Sequence, residues 1–193
     1  MSNFDRIFEV VEPVLYAVRW TGHSLDSFRE AFRNWQDPEY LEQFFEENKV
    51  LLNNPFWRGV SVEEAVLRTI QESEEFYLEL LGAVESVESG EQVDILSSIF
   101  IPLTKSEPLQ KSALQLSLRR KVYGPMPSWL RLYAVALDSN CYVITGGAIK
   151  LTKNMKDGPD TQAQLNGLLD CLGVFNKEQI VDVDSFFDFM NEQ

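Results

Sequence analysis

Trp129-Leu-Arg-Leu-Tyr-Ala-Val-Ala-Leu137, Asp138-Ser-Asn140 and Cys141-Tyr-Val-Ile-Thr145 follow one another without a gap. The first and third runs are rich in β-branched and aromatic residues, which suit a pleated, half-buried surface. The triplet between them is turn-forming, because Asp, Ser and Asn side chains bond their own backbone. The three together predict an antiparallel β-hairpin. Gly146-Gly147 then permits a bulge or a close backbone approach, and Ala148-Ile-Lys-Leu-Thr-Lys153 leaves the sheet. Far upstream, Val14-Leu-Tyr-Ala-Val-Arg-Trp20 reads as another strand, with Pro13 tolerated at its start. The expectation is one antiparallel sheet made from this first strand and the late hairpin.

Helical patterns fill the interval. Thr21-Gly-His-Ser24 reads as a turn, with Ser24 as N-cap of a helix through Trp35 that places Leu25, Phe28, Phe32 and Trp35 on one face. Its His23 reads as a solvated loop residue, since no triad partner is near in sequence. Asp37-Pro38 is a cap followed by proline at the first helical position, and the helix it opens ends at Asn53-Asn-Pro55. Phe56-Trp57 reads as a core plug. Ser61-Val-Glu-Glu64 is a capping box opening a helix to about Leu81. That helix's many glutamates read as a solvated face. Ser86–Gly90 suggests a loop, Val93–Leu103 an apolar stretch, and 108–118 a short helix through Leu109, Leu114 and Leu118. Beyond the hairpin, Leu165, Leu168, Leu169 and Leu172 mark a helix closed by Gly173, and Asp184–Met190 a last one. The class is therefore α+β, a single domain over 1–193, with a helical insertion at about 24–118 between the first strand and the hairpin.

Composition narrows the function classes. The 193 residues are 45% apolar, and the two cysteines cannot build a disulfide framework. Cys141 and Cys171 sit in a strand and a helix, where a thiol acts as a small core hydrophobe. Neither a membrane-length apolar run nor a leader pattern is visible, so a soluble, cytoplasmic protein is expected. The formal net charge is −13, which opposes nucleic-acid binding at long range. The charge is unevenly spread, however. Residues 103–157 hold nine Lys/Arg against three Asp/Glu, while the flanking parts are acidic. This is either a basic face for an anionic ligand or a segment that neutralises the acidic helices beside it. P-loop, dinucleotide-binding, nucleophile-elbow and H-E-x-x-H motifs are absent, and one histidine leaves no room for histidine triads. No metal site or cofactor is expected.

The block Leu130-Arg-Leu-Tyr-Ala134, a turn, and Tyr142-Val-Ile-Thr-Gly-Gly-Ala-Ile-Lys-Leu-Thr-Lys153 resembles the C-terminal core of RelE/HigB-type toxins of bacterial type II toxin–antitoxin systems. The whole chain also resembles a larger family of bacterial proteins, to which no function is attached. Those share the YAVRW-type strand, the D-P-E-Y-L segment and the E-A-V-x-x-T-I helix. The toxin resemblance implies an enlarged RelE-like fold and a metal-independent endoribonuclease acting on mRNA. Cations would promote attack of a 2′-hydroxyl on the neighbouring phosphate and stabilise the charge that develops there. The matching positions are Arg131, Tyr133, Lys150 and Lys153, and Arg119, Arg120 and Lys121 would add RNA contacts. The partners implied are RNA or the ribosome and an antitoxin of helix-turn-helix type. This chain departs from the pattern in its length, its acidity and the lack of a histidine at the hairpin. A non-catalytic interaction module keeping the fold is the alternative, with Arg131 paired to a glutamate, Tyr133 in the core and the lysines as solvated flanks.

Overall fold

The computed structural model describes residues 4–90, 95–102, 115–119, 127–152 and 158–192. Strands β1 (Phe4–Val11) and β2 (Leu15–Trp20) are followed by α1 (Ser27–Gln36), α2 (Pro38–Glu47), α3 (Lys49–Leu52), a 3-10 turn (Pro55–Trp57), α4 (Val62–Glu88) and α5 (Ile95–Ile99). Then come β3 (Phe100–Pro102), β4 (Gln115–Arg119), β5 (Leu130–Ala136), β6 (Tyr142–Ile149), α6 (Pro159–Lys177) and α7 (Val183–Asn191). The fold is α+β.

The six strands form one sheet in the order β1-β2-β6-β5-β4-β3. The late hairpin is present: β5 and β6 pair antiparallel from Leu130 opposite Ile149 to Ala136 opposite Tyr142. Thr145 is the extra residue of a bulge in β6, since Tyr133 faces Gly146 while Ala134 faces Ile144. The junction with the N-terminal strand corrects the expected all-antiparallel sheet. β2 runs parallel to β6, with Leu15, Tyr16 and Ala17 beside Tyr142, Val143 and Ile144. Parallel neighbours need a long crossover, which the passage through α1 to α5 supplies.

Two strands differ from the sequence reading. β1 pairs antiparallel with β2 but carries two register shifts, so its buried residues Phe4 and Ile7 lose the alternation that marks a strand. β4 occupies the end of the stretch read as a short helix. Leu114-Gln-Leu-Ser-Leu118 alternates with period two, and pairing with β5 on one side and β3 on the other favours that period. The span 24–118 is thus interrupted by β3 and β4, and the remainder of 108–118 lies outside the described residues.

Helices cover both faces. On β5, Leu130, Leu132, Ala134 and Ala136 join a core with Phe28, Phe32 and Trp35 of α1 and Phe76 of α4. The alternate residues Tyr133 and Val135 join a second core with Leu168, Cys171 and Phe175 of α6 and Phe186 of α7. Each large apolar side chain taken from water contributes roughly 1.5–3 kcal/mol.

Local signals set most helix ends. The N-cap of α1 is Asp26 rather than Ser24. Its carboxylate accepts from the Arg29 N–H at 3.0 Å and also pairs with the Arg29 guanidinium. Asp37 caps α2, with Pro38 at the first position. Both halves of the Ser61–Glu64 capping box form, at 3.2 and 3.0 Å. Beyond Leu81, α4 continues to Glu88 and absorbs Ser86, whose hydroxyl donates to the Gly82 carbonyl at 2.9 Å. α6 likewise runs through Gly173 to Lys177. Among the described residues, no helix is long and apolar enough to cross a membrane.

Candidate functional site

The helical run after α2 stops at Asn53-Asn-Pro55, and a 3-10 turn follows. The Asn54 side chain accepts from the Phe56 N–H at 3.0 Å, and this tight turn sends the next two rings in different directions. Trp57 is buried, donates its Nε1–H to the Leu151 carbonyl at 2.9 Å, and meets the Trp129 ring edge-on with centroids 5.3 Å apart. Phe56 remains 52% exposed. Only one of the two expected plug residues therefore enters the core. Their adjacency was legible in the sequence, but their directions depend on the turn.

The bond from Trp57 to Leu151 ties this turn to the segment leaving β6. Between them lies a cavity of about 500 Å³, lined by Phe56, Trp57 and Asn54 on one side and by Arg131, Lys150 and Thr152 on the other. The Lys150 backbone N–H donates to the Trp129 carbonyl at 2.8 Å, which fixes Lys150 beside the start of β5. Arg131 is 6% exposed, and its Nη1 donates to the carbonyls of Ser128 and Leu130 at 3.0 and 2.6 Å. Two of the four residues assigned to catalysis by resemblance thus share one cleft.

Tyr133 is not with them. It alternates onto the same side of β5 as Arg131, but α6 and α7 cover that face and the ring is wholly buried. Its hydroxyl meets no hydrogen-bond partner among the described residues, and burial pushes its pKa upward. This corrects the expected role of Tyr133 in contacting or protonating a substrate. Arg119 closes β4; its side chain, together with Arg120, Lys121 and Lys153, lies outside the described residues.

A bonded network behind the cleft holds its floor. The Arg68 guanidinium lies 4.1 Å from the centre of the Trp129 ring, pairs with Glu72 at 2.8 Å and donates to the Pro127 carbonyl at 2.7 Å. Trp129 in turn donates its Nε1–H to the Thr69 hydroxyl at 3.0 Å.

No group of three or more His, Cys, Asp or Glu side chains that could hold a metal ion occurs among the described residues. Both cysteines are buried; burial pushes the Cys141 thiol up to about 12 and raises Cys171 further. Neither should react with an aromatic disulfide reagent in the native protein, and both should react after denaturation. Rapid labelling of the folded chain would contradict the buried placement. His23 is half exposed, as a loop residue should be, yet it has a partner: its Nδ1 lies 2.8 Å from a Glu30 carboxylate oxygen, in a second cleft. A turn separates the two residues, so their spacing carries no helical signal.

No family model, curated protein or solved structure matches the chain.

Proposed function

We propose that this chain is a toxin-related protein of RelE/HigB type that holds a single-stranded RNA backbone in the cleft of Arg131 and Lys150. The observation that carries the reading is the convergence of these two cations on one cavity beside the half-exposed Phe56 ring. A guanidinium offers a planar fork to non-bridging phosphate oxygens and an ammonium adds a point charge. An exposed aromatic ring gives a neighbouring base a stacking surface. The same two charges would favour attack of a 2′-hydroxyl, because negative charge grows on the phosphate oxygens as that bond forms.

A second reading has a specific observation behind it. Both faces of β5 are covered, and the described residues lining the cleft include no carboxylate or imidazole to move a proton. On this reading the cleft binds and does not cut. RNA cleavage assayed with and without ribosomes, beside the anisotropy of a labelled single-stranded RNA, separates the two. The Arg131→Ala, Lys150→Ala double variant should bind about tenfold or more weakly, as expected for losing two phosphate contacts of order 1 kcal/mol each. If the unaltered protein cleaves, growth arrest on overexpression should be relieved by Arg131→Ala. Binding without cleavage selects the second reading, and equal binding by the double variant removes both.

A further inference from the structure

The parallel pairing of β2 with β6 ends at Ala17 and Ile144, although β2 continues to Trp20 and β6 to Ile149. One bond spans the opening: the Trp20 indole N–H donates to the Thr145 carbonyl at 2.8 Å. The connections after the two strands then go opposite ways. The chain from β2 enters α1 on one face of the sheet, and the chain from β6 enters α6 on the other. Where the connections of adjacent parallel strands part to opposite faces, a crevice forms beyond their carboxyl ends, and this is where open sheets bind ligands. Here that crevice is a cavity of about 240 Å³. Gly146 and Gly147 form part of its wall. The Gln164 amide oxygen occupies the place a side chain on Gly146 would need, and Ala31 and Trp35 press on Gly147.

The lining defines the chemistry. Glu30 of α1 and Asp160 of α6 enter from opposite sides, with Asn34 and Gln164 as carboxamides and Trp20 and Tyr40 as aromatic walls. No lysine or arginine is among the described lining residues. We propose that this crevice binds an alkyl chain ending in a guanidinium or primary ammonium group, with Glu30 and Asp160 as its charge partners. Among the described lining residues an anion would meet two carboxylates and no lysine or arginine, and the one imidazole, His23, already faces Glu30. A guanidinium would meet opposite charge, amide oxygens that accept its N–H groups, and ring faces that attract a cation. The volume lies below the range of pockets for drug-sized ligands and suits one extended side chain or a short amine. The electrostatics agree: burial and the nearby Glu47 raise the Asp160 carboxyl, while burial, Asp160 and Glu30 raise the Tyr40 hydroxyl. Both Asp160 and Glu30 thus act on Tyr40. Glu30 already touches His23 at 2.8 Å, so an incoming cation would share or displace that contact.

The test is a titration of the full chain, followed by amide NMR, with two probes. One is agmatine, and the other is a blocked Gly-Arg-Gly peptide. The same peptide with citrulline in place of arginine removes the charge and is the control. Saturable shifts of the Gly146 and Gly147 amides are expected, with a dissociation constant of about 1 mM or tighter. Glu30→Gln and Asp160→Asn should each weaken binding about tenfold, which corresponds to 1.4 kcal/mol for one charge partner. Agmatine should also raise the melting temperature of the unaltered chain, and raise that of either variant less at the same concentration. Binding of agmatine alone assigns the site to a free amine, and binding of the arginine peptide as well assigns it to a basic side chain of a partner. Shifts that map elsewhere, equal binding of the citrulline peptide, or equal binding by both variants would overturn the proposal. Arg131→Ala should leave amine binding unchanged, so this site and the RNA cleft stand or fall separately.

Discussion

Trp129→Ala should lower the unfolding free energy by about 3–5 kcal/mol, the range for removing a large buried aromatic side chain. The residue is fully buried, its ring lies 5.4 Å from Phe45 and 5.3 Å from Trp57, and Arg68 sits over its face. Truncation leaves a cavity that Phe45 and Trp57 cannot fill while their own contacts hold them. It also leaves the Arg68 guanidinium without its ring and the Thr69 hydroxyl without its donor. Single domains are stable by roughly 5–15 kcal/mol in all, so the variant should lose a large share of its stability. Urea denaturation followed by tryptophan fluorescence and far-UV circular dichroism measures the loss. A loss of about 1 kcal/mol or less would mean that the ring is not the centre of this network. Because Trp57 also holds Leu151, the variant should loosen the cleft of Arg131 and Lys150 through its floor, with no change in the cleft's own residues.

The second large effect lies in the glycine pair, and its two members should behave differently. A side-chain carbon on Gly147 would stand 2.6 Å from Cβ of Ala31 and 2.7 Å from Cζ2 of Trp35. Both belong to α1, both are buried, and neither has a flexible end to move. Helix α1 would have to lift from the sheet, so Gly147→Ala should cost about 2–3 kcal/mol. A carbon on Gly146 would instead run into the end of the Gln164 side chain, which is half-buried and free to rotate. Gly146→Ala should therefore cost about 1 kcal/mol or less. The midpoints of chemical denaturation of the two variants, compared at equal slope, decide the matter. Equal losses would show that α1 does not approach Gly147 as described.

Features carried by neighbouring residues were the legible ones. Asp37-Pro38, the Ser61–Glu64 box and the turn at Asp138-Ser-Asn140 act over a few positions, and each appears where its chemistry requires. The direction of β2 was not legible, because nothing in its own six residues distinguishes a parallel from an antiparallel neighbour. For β1, two register shifts erase the period on which recognition depends. Tyr133 shows a different limit. Alternation correctly places it beside Arg131, but whether that face is open depends on α6, some thirty residues later. A signal was available: apart from Arg131, Leu130 to Leu137 is apolar throughout, the mark of a strand covered on both sides. The crevice of Glu30 and Asp160 could not be seen at all, since it exists only once residues 130 positions apart face each other across a parted pair of strands.

The pairing of Leu15–Ala17 with Tyr142–Ile144 also sets a timetable. A ribosome adds about 5–20 residues per second, so β6 leaves the tunnel roughly 6–25 s after β2 at that pace. Throughout that interval the apolar sides of β2 and α1 have no completed sheet to lie on, and water or a chaperone must cover them. Pairing across so many residues is intrinsically slow. The nascent chain thus spends most of its synthesis as a hairpin with loose helices, and it becomes a finished domain only when its final third arrives.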